Sequence, residues 1–154
     1  MKTKHLLILV CLLQFSCEKE DKIPSSSLTA DEISVANEIV SLVNAHRSEQ
    51  EDITLLSDEL AEELAIAHTQ YMIGQGSISH DDFQERAEVL TQQGATSVAE
   101  NVAAGQSDAQ AVMNSWLNSS GHRRNIEGDF THIGVAAIKD AQGRYYYTQV
   151  FFKR

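Results

Sequence analysis

IGVAAIKDAQGRYYYTQVFF, residues 133–152, is the most strand-like stretch of this chain. It contains two runs, 133–139 and 144–152, that are rich in Val, Ile, Tyr and Phe and are therefore typical of β-strands. The four residues between them, DAQG at 140–143, suit a tight turn with glycine in the left-handed conformation. The sequence therefore predicts an antiparallel hairpin near the end of the chain.

The second of these runs is apolar on both faces. Successive side chains of a strand point to opposite sides. One side carries Tyr145, Tyr147 and Phe151, and the other carries Tyr146, Val150 and Phe152. Such a strand is covered on both faces, and because two strands make too small a sheet for that, we expect another strand near residues 97–102. The pattern predicts an α/β fold of the α+β type, a three-layer α-β-α sandwich with a small, mainly antiparallel sheet.

Apolar residues at helical spacing predict four helices before the hairpin, at residues 30–47, 58–73, 82–93 and 107–118. Thr29 and Glu32 form a capping box at the start of the first helix. Ser57 is the expected N-cap of the second helix. We expect the buried stripe of that second helix to contain Leu60, Leu64, His68, Tyr71 and Met72.

The composition is that of one globular domain with an acidic surface. The chain has 154 residues, 42% of them hydrophobic, and a formal net charge of −10. Since an acidic surface repels phosphate, this charge argues against a nucleic acid partner. The charge favours cations or basic partners, and an acidic face kept for solubility is the alternative explanation.

Residues 1–16 have the features of a secretory signal peptide. Lys2 and Lys4 precede an apolar run at residues 6–13. Eight apolar residues are too few to span a bilayer, which needs about 20. The sequence therefore predicts that the protein is exported from the cytoplasm.

Cys17 follows Ser16 just past the apolar run, and this arrangement resembles a bacterial lipoprotein signal peptide in which that cysteine is acylated. Gln14 departs from the pattern, because a branched apolar residue is usual three positions before the cysteine. Residues 17–27 are charged and then rich in Ser, which is typical of a tether. We expect an extracytoplasmic lipoprotein, periplasmic or on the cell surface, that is anchored to the membrane through lipidated Cys17. An ordinary secretory signal with an incidental cysteine is the alternative.

Three polar residues stand out as candidates for a functional site. His80 and His122 lie in polar segments at the boundaries of predicted elements, where functional side chains gather. Glu100 stands in the apolar stretch 98–103, so its carboxylate needs a cation, a hydrogen-bond donor or a metal as a partner. His68, on the predicted buried stripe, is interpreted as a hydrogen-bonded core histidine.

The order of several short motifs resembles the CAP superfamily of cysteine-rich secretory proteins, antigen 5 and pathogenesis-related proteins of group one, in its bacterial SCP-like branch. These motifs are Asn44 with Arg47, Leu64-Ala65 with His68 and Met72, Ser79-His80, AENV at 99–102, WLNSSGHRRNI at 116–126 and THIGV at 131–135. The resemblance implies a CAP domain over residues 28–154 and an α-β-α sandwich, in agreement with the strand pattern.

The resemblance also implies a histidine-containing cleft. Family members carry a cavity lined by two histidines and two acidic residues, and some bind zinc there. These positions fall on His80, Glu100 and His122, whereas the second acidic position falls near Ser119. The acidic set is therefore incomplete. Other members have been associated with lipid or sterol binding, with roles in the cell envelope and with proteolysis.

Several chemistries remain open for these residues. Two imidazoles and a carboxylate are the ligands of many hydrolytic zinc sites, in which a fourth position holds water. The same three groups also suit a structural cluster, a cleft that binds a ligand, lipid or protein partner, or an acid–base hydrolase. Ser119, His122 and Glu100 suggest a serine hydrolase, but no oxyanion loop is visible. The sequence leaves open whether the protein is an enzyme and whether it binds zinc.

Overall fold

The computed structural model describes residues 28–154. Its elements, in chain order, are α1 (Ala30–Glu49), β1 (Leu56–Ser57), α2 (Glu59–Gln75), α3 (Phe83–Gln92), β2 (Ser97–Ala104), α4 (Ala109–Asn118), α5 (Ser120–Ile126), β3 (His132–Lys139) and β4 (Tyr145–Lys153). The predicted signal peptide (1–16), acylated Cys17 and tether (17–27) lie outside the described residues. Within residues 28–154, every helix is too short or too polar to cross a bilayer.

The four strands form one small sheet in the order β1-β3-β4-β2. The predicted hairpin is its centre, because β3 and β4 pair antiparallel with Val135 opposite Gln149. The additional strand expected near residues 97–102 is β2, which pairs antiparallel with the other side of β4. β1 adds a short parallel pairing to β3.

Helices cover both faces of the sheet, as the apolar pattern of β4 predicts. On one face α1, α4 and α5 pack through an apolar cluster that includes Ile39, Trp116, Ile126, Tyr147 and Phe151. On the other face α2 and α3 pack through a cluster that includes Ala61, Ala65, Leu90, Val150 and Phe152. The predicted three-layer α-β-α sandwich is confirmed.

The predicted helix boundaries hold, with local corrections. The capping box of Thr29 and Glu32 is present, and a second oxygen of Glu32 accepts from the backbone N–H of Lys139, which ties α1 to β3. The N-cap of α2 is Asp58 rather than Ser57, because the Asp58 carboxylate accepts from the N–H of Ala61. Ser57 belongs to β1 instead.

The expected buried stripe of α2 was partly wrong. His68 and Met72 are buried as predicted, but Leu64 is half-buried and Tyr71 is exposed. The other buried positions are mainly small, and include Ala61 and Ala65. One reason is that α2 crosses β3 at very short range beside Ala61, where only a small side chain fits.

Gly134 is the point of this close approach. A Cβ placed there would lie 2.1 Å from the carbonyl carbon of Ala61 and 2.2 Å from the backbone nitrogen of Glu62. Only glycine leaves room for the α2 backbone at this distance. The contact fixes the height of α2 above the sheet, and with it the position of the loop that follows α2.

Candidate functional site

The candidate site is built around the outer strand β2. β2 pairs with β4 and lies at the end of the strand order. Val98 packs in the cluster under α2 and α3, whereas Ala99 packs in the cluster under α1 and α4. By alternation, Glu100 faces the α2–α3 layer and Asn101 faces the opposite layer. Adjacent residues of β2 therefore face the two different helical layers.

Glu100 is the buried centre of the site, with 6% of its surface exposed. Its carboxylate accepts from Arg86 on α3 through Nε to Oε2 (2.9 Å) and through Nη2 to Oε1 (3.0 Å). His80 Nδ1 lies 2.8 Å from the same Oε1. A buried carboxylate is stable only when it is paired and hydrogen-bonded, and this two-point contact with Arg86 supplies both conditions.

His80 lies in the loop between α2 and α3, and its side chain is 52% exposed. The neighbouring backbone is held on both sides. The carbonyl of Ser79 lies 2.8 Å from His68 Nε2, and the carbonyl of Asp81 accepts from Arg86 Nη1 at 2.8 Å. An ionised carboxylate can only accept a hydrogen bond, so in the neutral ring Nδ1 carries the hydrogen and donates to Glu100. Nε2 then keeps a free electron pair.

His68 supports this arrangement from the interior. Its ring is buried, and its Nε2 lies 3.8 Å from Glu100 Oε1. Burial lowers the pKa of His68, which the Ser79 carbonyl and Glu100 oppose, so the ring is neutral near pH 7. The interpretation of His68 as a hydrogen-bonded core histidine agrees with this geometry, and the ring also fixes the loop that carries His80.

His122 reaches the site from the other layer, on the short helix α5. Its backbone carbonyl accepts from Asn101 Nδ2 at 3.1 Å. Burial lowers the pKa of the half-buried His122 ring, and repulsion from a protonated His80 lowers it further. The two imidazoles belong to different layers, and a positive charge on His80 disfavours a positive charge on His122.

A network of side-chain amides attaches α5 to β2. Asn125 Nδ2 donates to the backbone carbonyl of Glu100 at 3.1 Å and to Asn101 Oδ1 at 2.8 Å. Asn101 Nδ2 also donates to Gln149 Oε1 on β4. These bonds hold α5, which carries His122, against β2, which carries Glu100. Contacts between elements therefore fix the distance between this helix and this strand.

Comparison with known proteins identifies the family. Residues 40–151 match the family described as CAP, the cysteine-rich secretory protein family. The chain belongs to the CAP family. Two relatives from Bacillus subtilis (strain 168) are each 33% identical: the uncharacterised protein YkwD over 106 residues, and the uncharacterised membrane protein YlbC over 126 residues. The matches cover 66% and 76% of this chain but 41% and 34% of those proteins, so the chain spans less than half the length of its curated relatives.

Solved structures show the same CAP fold. An extracellular protein of Bacillus anthracis str. Ames that contains an SCP domain is 32% identical, with a TM-score of 0.71 over 82% of this chain and 44% of that one. An outer surface protein of Borrelia burgdorferi has the same TM-score, 0.71, over 79% of this chain and 93% of that one. At 22% identity, the second likeness shows the fold alone.

Ser119 of this CAP domain lies at the junction of α4 and α5. Its backbone N–H donates to the carbonyl of Trp116. Within residues 28–154, its hydroxyl makes no hydrogen bond to His122, and Glu100 bonds to His80 instead. Ser119, His122 and Glu100 therefore do not form the hydrogen-bonded Ser–His–acid arrangement of a serine hydrolase.

Glu100, one of the three predicted metal ligands, is hydrogen-bonded to protein groups in this structure. Among the described residues, no group of three or more His, Cys, Asp or Glu side chains is arranged around a common metal position. Glu100 uses its oxygens on Arg86 and His80. Its contact to Nδ1 is the usual position of an outer-sphere carboxylate that orients a metal-binding histidine.

Arg86 and Asn125 are the residues of the site that sequence reasoning missed as functional. The apolar surroundings of Glu100 indicated that a cationic partner was needed, but its spacing did not single out Arg86, 14 residues earlier. Asn125 was noted only within the family motif. Both residues contact β2 from another element, and a local sequence pattern does not reveal such contacts.

Proposed function

We propose that this CAP protein is an extracytoplasmic binding protein whose ligand site is formed by His80 and His122 beside Glu100. The observation that supports it is the half-exposed His80 ring, held by its Nδ1 on a buried carboxylate that Arg86 neutralises. An exposed imidazole with its tautomer fixed from within has one nitrogen ready to accept a bond from a ligand.

The donor atoms indicate which ligands suit the site. Two neutral imidazole nitrogens bind a divalent metal such as zinc, and they also accept hydrogen bonds from a lipid head group, a peptide or another envelope component. Zinc at this position would supply Lewis acidity and a more acidic bound water. His80 and His122 would hold the metal, and Glu100 would orient His80.

A zinc-dependent or acid–base hydrolase, with protease-like chemistry, is the second candidate function. The His80–Glu100 hydrogen bond favours it, because a carboxylate that orients an imidazole is a recurrent element of general-base catalysis. In that case His80 would take a proton from water or substrate, His122 would contact the substrate, and Glu100 would hold the ring of His80.

Zinc titration tests the binding proposal. We expect calorimetry on the purified protein at pH 7.5 to show one site, and expect His80→Ala and His122→Ala each to weaken it strongly. The double variant should lose little more, because two ligands of one site are not additive. His132→Ala is the matched control, since His132 stacks on Phe152 outside the site. Equal affinity in the wild type and His122→Ala would reject the site.

The pH dependence of zinc binding has a defined sign. Protons compete with the metal for neutral imidazoles, so affinity falls as the pH falls. Because burial and His80 lower the pKa of His122, that ligand stays neutral to a lower pH than an exposed histidine, whose pKa is near 6.5. We expect the loss of zinc affinity that protonation of His122 causes to occur at a lower pH than it would for an exposed histidine.

We further propose that the protein is a lipoprotein anchored in the membrane through Cys17. The extracellular relative of Bacillus anthracis and the membrane protein YlbC support a location outside the cytoplasm. The apolar run at 6–13 and the position of Cys17 support acylation. Residues 18–27 would then separate the domain from the bilayer.

Cell fractionation tests this anchor. We expect the wild type with the membrane fraction and Cys17→Ala in the soluble extracytoplasmic fraction, because each buried methylene of an acyl chain contributes about 0.8 kcal/mol. Ser16→Ala, which keeps a small residue before the cysteine, is the matched control and should stay with the membrane. Wild-type protein that is entirely soluble would contradict the proposal.

A further inference from the structure

Arg86 contacts both Glu100 and the backbone of the His80 loop. Its Nε and Nη2 donate to the carboxylate of Glu100, and its Nη1 donates to the carbonyl of Asp81. All three N–H groups come from one rigid, planar guanidinium. The position of the loop and the position of the carboxylate are therefore fixed by the same group.

The distances show what this group does for His80. Glu100 Oε1 accepts from Arg86 and lies 2.8 Å from His80 Nδ1. The Asp81 carbonyl, one residue beyond His80, is held by the same guanidinium. Arg86 is buried, with 9% of its surface exposed. It therefore does not meet a ligand at the exposed face of the ring and acts on that ligand only through His80.

We propose that Arg86 is a positioning residue that fixes the tautomer and orientation of His80 by clamping Glu100 and the Asp81 carbonyl together. This inference rests on the proposed function of His80 as a ligand-binding group. A lysine cannot replace this action, because an ammonium group lacks the planar fork that reaches two partners in fixed directions. The effect of Arg86 on His80 is therefore expected to depend on the geometry of the guanidinium and not on its charge alone.

The test compares Arg86→Lys, Arg86→Gln and the double variant Arg86→Gln/Glu100→Gln with the wild type. Nitrogen NMR of the histidine rings, without metal, reports which nitrogen of His80 carries the proton, and the His80→Ala spectrum assigns the signal. Zinc calorimetry is the second readout, and thermal unfolding is the third. Arg144→Lys is the matched control, because Arg144 is exposed at the hairpin and packs on the Tyr146 ring.

We expect the wild-type ring to carry its proton on Nδ1. In Arg86→Lys the Nδ1-protonated fraction should fall, and zinc affinity should fall about 10- to 100-fold, the usual effect of losing an outer-sphere partner. Arg144→Lys should change neither. If Arg86→Gln fails to fold because Glu100 is left unpaired, the double variant, which buries no charge, should fold and lose the tautomer preference. Because the double variant also lacks the Glu100 carboxylate, the loss in Arg86→Lys is the result that assigns the effect to Arg86.

The outcomes separate this inference from the proposed function. A fixed tautomer that depends on Arg86, in a protein that binds no zinc, supports the positioning role and contradicts the metal site. An unchanged tautomer in folded Arg86→Lys overturns the positioning role, whatever the zinc affinity and whatever the double variant shows. Failure of all three variants to fold also overturns it, because Arg86 would then be required for folding alone.

Discussion

Gly134→Ala is expected to destabilise the domain by more than about 3 kcal/mol. The new methyl group would lie 2.1 to 2.5 Å from backbone atoms of Ala61 and Glu62, so the whole of α2 must move away from β3. Overpacking a core costs about 1 to 3 kcal/mol when side chains can adjust, and a helix backbone adjusts less easily. Thermal unfolding should show the midpoint lowered by roughly 10 °C or more.

Gly74→Ala is the matched control, on α2 itself. A Cβ at Gly74 meets nothing within 4 Å, and alanine is the better helix former by about 0.5 to 1 kcal/mol. We expect this variant to be as stable as the wild type or slightly more stable. A Gly134→Ala protein as stable as Gly74→Ala would show that α2 does not cross β3 at the observed distance.

Arg47→Met is expected to destabilise the domain by about 3 to 5 kcal/mol. The Arg47 side chain is 2% exposed and donates to the carbonyls of Ile53, Ile126 and Gly128 at 2.7 to 2.8 Å. Burial lowers its pKa, and Asp52 and Asp129 oppose that effect. Methionine keeps the apolar stem but leaves the carbonyls of Ile53 and Ile126 without this donor, at about 1 to 3 kcal/mol each when buried. The carbonyl of Gly128 still accepts from the N–H of Phe130.

Arg124→Met provides the comparison for that prediction. Arg124 is exposed on α5, and surface substitutions usually change stability by less than about 0.5 kcal/mol. Urea unfolding of both variants measures the difference. A loss below about 1 kcal/mol for Arg47→Met would mean that water replaces the guanidinium, and that the junction of α1 with the end of α5 is not closed.

Most of the framework could be predicted from the sequence because the longer elements carry their own patterns. The apolar faces of β4 indicated two covering layers, and the capping box of Thr29 and Glu32 located the start of α1. β1 has only two residues, Leu56–Ser57, and so has no periodicity to detect. α5, Ser120–Ile126, contains a glycine and buries only Ile126, so it resembles a loop in sequence.

For the candidate site, the sequence indicated some residues but not their partners. The family resemblance located His80, Glu100 and His122, but the partners that decide their chemistry come from tertiary contacts. The clearest example is Glu100: its apolar surroundings indicated that it needs a partner, but not that Arg86 and His80 are the groups it contacts. The stripe of α2 was placed on Leu64 and Tyr71 because spacing alone cannot reveal the close approach at Gly134.

His80 and His122 come from different helical layers, so a ligand bound by both would link these layers. His80 follows α2 and is fixed by α3, whereas His122 belongs to α5 and is attached to β2 through Asn101. The separation of the rings is therefore set across the edge of the sheet and not within one loop. A ligand that bridges both rings should stabilise the packing of the two helical layers against β2.

His80 and His122 are proposed to bind one ligand together, with Glu100 bonded to His80 and Arg86 and not to that ligand. Anomalous diffraction at the zinc absorption edge, from crystals grown with zinc near pH 7.5, measures this. We expect one peak about 2.0 to 2.1 Å from His80 Nε2 and from a ring nitrogen of His122, with Glu100 still hydrogen-bonded to His80 Nδ1 and to Arg86. A zinc ion bound directly by Glu100, or zinc peaks only away from both histidines, would contradict it.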